Sequence, residues 1–66
     1  MAMTAPDETD LLTPHELADL LRVSVWTVYR WRLQGSGPRV VWVGRHARYR
    51  LRDVHAWLDR EEDQEH

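Results

Sequence analysis

Between Arg22 and Arg52 the chain carries Arg22, Arg30, Arg32, Arg39, Arg45, Arg48, Arg50 and Arg52, and not one acidic residue. Each guanidinium is a permanent cation with a planar fork of donors, matched to phosphate oxygens and to the O6/N7 edge of guanine. Acid gathers at the two ends, as Asp7, Glu8 and Asp10 before the stretch and Asp59, Glu61, Glu62, Asp63 and Glu65 after it. The formal net charge of −2 conceals this polarity. A basic middle between acidic ends is the distribution that a nucleic-acid footprint leaves. Lys, Asn, Ile and Phe are all absent. Their codons are rich in A and T, so a G+C-rich gene explains Arg in place of Lys as well as any need for bidentate contacts does.

Catalysis has little to work with. There is no Cys, hence no thiol nucleophile, disulfide or thiolate metal site. His15, His46, His55 and His66 are scattered, with no i, i+4 pair and third ligand to hold a metal. No hydroxyl has a base at a recognisable spacing, and the acidic end lacks the pattern of a Mg²⁺ or Ca²⁺ site. No apolar run approaches the ~20 residues of a membrane span. The N-terminus, Met-Ala-Met-Thr-Ala-Pro-Asp-Glu, has acid where a signal peptide needs base. The expectation is a soluble, cytoplasmic protein that is not an enzyme and takes no cofactor, metal or small-molecule ligand.

The elements that must carry the arginines follow from local signals. Residues 1–10 are acidic and patternless, and are expected to be disordered. Thr13-Pro14-His15-Glu16 predicts a helix start with a capping box, and Leu17, Leu20 and Leu21 give that helix an apolar face ending near Leu21 or Arg22. Ser24 caps a second helix over 25–34, and Gly35 with Ser36-Gly37-Pro38 ends it. A turn of about three residues between two such helices fits a helix-turn-helix. From Arg39 the period changes to two. The pattern predicts a hairpin around Gly44-Arg45-His46, with Val41, Val43, Ala47, Tyr49 and Leu51 inward and Val40, Trp42, Arg48 and Arg50 outward. A third helix is expected over 52–60, with Asp53 in its first turn and Val54, Trp57 and Leu58 as its apolar stripe. The division is 1–10 as an acidic segment, 11–60 as a winged-helix DNA-binding domain and 61–66 as an acidic tail. With 66 residues and no cross-link, stability rests on large apolar side chains, above all the four tryptophans.

At about 100° per residue, Val28 and Trp31 fall together on the second helix and face the core. Trp26, Arg30 and Leu33, at i, i+4 and i+7, lie opposite, with Tyr29 beside them. Such a face suits a major groove, where Arg pairs with guanine and an apolar edge meets thymine methyls. Trp26 also suits a dimer contact or packing beneath the hairpin. Ser24 and Thr27, at the helix N-terminus, are placed for phosphate. Arg45, His46 and Arg48 make the hairpin a basic wing, lying along phosphates or in the adjacent minor groove. For Arg48 a pairing with Asp53 is the alternative, and Arg50 and Arg52 read as phosphate contacts or solvated charges.

The run from Leu11 through Trp31, Gly35 to Pro38, Val43-Gly44-Arg45, Arg48-Tyr49-Arg50 and Asp53 to Leu58 resembles the small excisionase-type winged helices related to MerR domains. The resemblance covers residues 11–58. It implies an α+β fold: helix-turn-helix, two-stranded wing, C-terminal helix. It also implies a phage or plasmid excisionase, a recombination directionality factor that binds attachment-site DNA in the bacterial host cytoplasm at the nucleoid. Such proteins sit in side-by-side copies, bend the DNA, and turn an integrase toward excision. By position, Trp26, Thr27, Tyr29, Arg30 and Leu33 become recognition-helix contacts and Arg45 the wing contact. Trp26 and Leu33 are apolar where relatives often carry polar or charged groups. Other members regulate transcription, so a stand-alone repressor is the second reading; a protein-binding adaptor using the Trp-rich surface belongs with it.

Overall fold

The computed structural model describes residues 10–63. The elements run β1 (Leu11–Leu12), α1 (Pro14–Leu21), α2 (Val25–Gln34), β2 (Val41–Val43), β3 (His46–Arg50) and α3 (Leu51–Asp63). This is an α+β winged helix-turn-helix arrangement. The expected disorder of the N-terminal segment concerns residues 1–9, which lie outside the described residues.

Both helices of the helix-turn-helix start and stop where their local chemistry requires. Thr13 Oγ1 accepts from the Glu16 amide at 3.0 Å while Glu16 Oε1 accepts from the Thr13 amide at 2.9 Å, a complete capping box. Ser24 Oγ accepts from the Trp26 amide at 3.1 Å and begins α2. At the C-termini the two helices end by the same device with different residues. The Ser36 amide reaches back to the Trp31 carbonyl at 2.8 Å around Gly35, and the Val23 amide to the Ala18 carbonyl at 3.0 Å around Arg22. Both pivots are left-handed, with φ of 70° at Gly35 and 60° at Arg22. Glycine adopts that conformation freely, whereas an arginine there costs on the order of 1 kcal/mol.

The sheet is three-stranded and antiparallel with β3 in the middle. β1 was not expected. Two residues are too few to show a period, and pairing with a strand far along the chain leaves no local mark: Leu11 lies opposite Arg50 and Leu12 opposite Tyr49. The Asp10 carbonyl accepts from the Leu51 amide at 3.0 Å, so the residue before β1 satisfies a free donor at the start of α3. α3 follows β3 without a connecting residue and continues through Glu61, Glu62 and Asp63, beyond the expected end at Arg60. Part of the expected acidic tail is therefore helix.

The hairpin corrects one expectation outright. β2 pairs with β3 as Val41 with Arg48, Trp42 with Ala47 and Val43 with His46, leaving a two-residue turn, Gly44-Arg45. A three-residue loop would have set Val43 opposite Ala47. Shortening it by one moves every β2 side chain to the other face. Trp42 and Val40 consequently lie on the same side of the hairpin as buried Ala47 and Tyr49; Val40 packs on the core, while Trp42, beyond its edge, remains exposed. Val43, expected inward, is exposed.

The core is Leu17, Ala18, Val28, Tyr49 and Val54, with Leu12, Leu21, Val25, Trp31 and Val40 packed against it. Trp31 and Trp57 meet with ring centroids 5.0 Å apart and close the space between α2 and α3. Gly37, at φ 82°, lies beneath Trp31, and a Cβ there would come within 2.9 Å of the Trp31 Cβ. Leu20 and Leu58, expected on inward stripes, are exposed, because a domain this small cannot cover the full width of either helix.

Candidate nucleic-acid interface

The residues expected to meet a ligand lie on two elements. On α2, Val28 is fully buried while Trp26 and Leu33 are 71% and 86% exposed, and Arg30 is exposed between them. The outward face is therefore the one read from the helical wheel. Tyr29, beside it, is half-buried and anchored: its hydroxyl lies 3.4 Å from His15 Nε2 of α1, and the Trp26 ring meets it edge-on at 5.6 Å. Ser24 is exposed but uses its oxygen to cap α2, which leaves its hydroxyl proton as the group free to donate. Thr27 is half-buried in the first turn of α2.

On the hairpin, Arg45 and His46 are exposed at the tip. Arg48 is half-buried on the outer face opposite Val41, and its Nη1 donates to the neighbouring Ala47 carbonyl at 2.7 Å. Its suggested pairing with Asp53 does not form. Arg50 takes that place, with Nη1 3.9 Å from Asp53 Oδ2, because residue 50 rather than 48 lies one helical turn before Asp53.

Residues 11–62 match the helix-turn-helix domain family. The chain belongs to that family. No curated protein and no solved structure matches it. A helix-turn-helix domain is a DNA-binding architecture, so DNA is the partner, and α2 stands in the place of its second helix.

The part of the helix-turn-helix interface that sequence reasoning missed is Arg32. Its guanidinium lies 5.2 Å from the centroid of the Tyr29 ring and 5.7 Å from that of Trp42, half-buried between α2 and β2. Cation–π contacts of this kind hold a charge in place without neutralising it. Through these two rings Arg32 fastens the wing to α2. Only the corrected facing of β2 brings Trp42 to it, so no local pattern marked the contact. Tyr49 stands close enough to feel that charge. Burial pushes its phenol above the ordinary value, Arg32 pulls it back down, and Tyr29 adds to the rise.

The eight arginines between residues 22 and 52 thus fall into two groups. Arg32, Arg48 and Arg50 are half-buried and engaged with rings, a carbonyl and a carboxylate. Arg22, Arg30, Arg39, Arg45 and Arg52 are exposed. Among the described residues no group of His, Asp and Glu is arranged to hold a metal ion, and no helix is long and apolar enough to cross a membrane.

Proposed function

We propose that this helix-turn-helix domain binds specific duplex sites and bends them without catalysis, as an excisionase directing an integrase toward excision of an integrated element. The observation that carries the DNA reading is the exposed face of α2, in which Arg30 stands between Trp26 and Leu33 directly opposite buried Val28. Arg30 is the candidate base contact, with Trp26, Thr27, Tyr29 and Leu33 around it. Ser24, Arg45 and His46 would engage the backbone or the adjacent groove, with Arg48 held back by its bond to the Ala47 carbonyl.

The excisionase reading is supported by the family, which includes excisionase-like proteins, and by the modest size of the interface. A single recognition helix with a wing covers about 600–1,000 Å² and reads few base pairs. Specificity is then gained from neighbouring copies, and the longest helix among the described residues, 13 residues in α3, offers no coiled coil for a stable free dimer. Copies in successive grooves neutralise phosphates on one face, and bending costs a few kcal/mol that the added contacts offset. A gel-shift titration with circularly permuted probes tests this. Several stepwise complexes with position-dependent mobility are expected, and integrase-driven excision in vitro should require the protein. A single complex of uniform mobility would leave a stand-alone transcriptional regulator as the better reading.

A further inference from the structure

We infer that α2 reads the 5-methyl groups of thymine, with Trp26 and Leu33 making the two methyl contacts on either side of the base contact from Arg30. The inference rests on the DNA-binding reading above and specifies what that face selects.

The starting point is a cost. Trp26 and Leu33 are 71% and 86% exposed, leaving two large apolar side chains in water on the same face of one helix. Neither packs on the core, which α2 meets through Val28 and Trp31 on its opposite side. Along the chain on either side of them, from Arg22 to Arg52, there are eight arginines and no acidic residue. A partner fitting this face must combine strong negative charge with isolated apolar spots. Duplex DNA offers that combination in the major groove, where the thymine C5 methyl is the apolar group on the base edges.

The spacing agrees. Residues 26 and 33 are separated by seven helical rises, about 10 Å along the axis, and residue 30 lies between them at about 6 Å. At roughly 3.4 Å per base step, the outer two positions span about three steps. The Trp26 ring is set beforehand, edge-on to Tyr29 at 79°, and Tyr29 is itself tied to His15. A ring held in this way gives up little freedom on contact.

The experiment begins with selection of bound sequences by the full chain from a random duplex library, followed by fluorescence anisotropy on the enriched duplex. Thymines bracketing a guanine about three steps apart are expected. Replacing either thymine by uracil, which removes only the methyl, should weaken binding roughly three- to fivefold, the worth of one buried methyl. In Trp26→Ala the penalty at one thymine should vanish while that at the other persists, and Leu33→Ala should show the reciprocal pattern. Both residues are exposed, so circular dichroism should be unchanged. Equal affinity for thymine and uracil duplexes, with sequence preference intact, overturns the methyl reading but leaves DNA binding standing. Failure to enrich or bind any duplex overturns both. Unchanged DNA affinity in both variants would assign the face to a protein partner instead.

Discussion

The recognition helix and the wing carry the same kinds of residue, Trp, Val and Arg, yet they are specified in different ways. α2 is bounded at each end by its own cap, Ser24 and Gly35, and its faces follow from the helical repeat once the start is known. The hairpin has no such anchor. Which way Trp42 points depends on whether the turn holds two residues or three, and on which β3 residue each β2 residue meets. A helix is a local structure whose orientation a few bonds determine. A strand acquires its sides only from its partner.

The largest expected effect lies on the helix. Trp31→Ala removes a ring that packs on the core, meets Trp57 and covers Gly37, and should cost about 3 kcal/mol or more, most of what a domain of this size has to spare. Thermal melting followed by circular dichroism reads it; a loss under about 1 kcal/mol would mean that α2 is held by its caps alone.

Binding as a whole should weaken steeply with salt. With Arg32, Arg48 and Arg50 engaged within the protein and Arg30 on a base, about four exposed arginines remain for phosphates. The slope of log K against log salt should then be roughly −3 to −4. A slope of about −6 would show that the half-buried arginines swing out, and one near zero would end the DNA-binding reading.

Arg30→Ala should lose on the order of 1–3 kcal/mol on the selected site and much less on random duplex. Arg45→Ala, at the wing tip, should lower both alike. If the two variants behaved identically, helix and wing would both be backbone contacts.

The facing of β2 can be tested by a pair of truncations. Trp42→Ala should cost about 1 kcal/mol through the lost ring contact with Arg32, while Val43→Ala, exposed on the outer face, should cost under about 0.5 kcal/mol. The reverse order would restore the three-residue turn.

The smallest effect has the opposite sign. Arg22→Gly relieves a left-handed arginine and should stabilise the fold by up to about 1 kcal/mol while removing one phosphate contact. Unchanged melting would show that the pivot carries no strain.

Much of this was legible in the residues. The capping box at Thr13, the span of α2, the three-residue turn between the helices, and burial of Ala47 and Tyr49 on β3 and of Leu51 at the start of α3 all follow from short-range rules, as does the outward face of Trp26, Arg30 and Leu33. What could not be read depends on distant partners. β1 exists because Leu11 and Leu12 meet β3, and Asp53 pairs with Arg50 because the strand runs directly into α3. The position of Arg32 depends on the hairpin register, since Trp42 reaches it only when β2 is turned over. Gly37 read as a helix breaker, and its closeness to Trp31 appears only once the loop is folded back.

Because α3 leaves β3 without a joint and stays helical through residue 63, Glu61 and Glu62 are carried at the end of a stiff rod about 20 Å long. The carbonyl end of a helix is itself negative, so these carboxylates add to its field. The exposed carboxylates at this end, next to Arg60, are thus opposite in sign to Arg52 at the start of α3, to Arg30 of α2 and to Arg45 of the hairpin. In the potential around a duplex such a body is turned before it touches, since collisions that lead with the acidic end are repelled. The gain appears in how often an encounter is productive, and it fades as added salt shortens the range of the field.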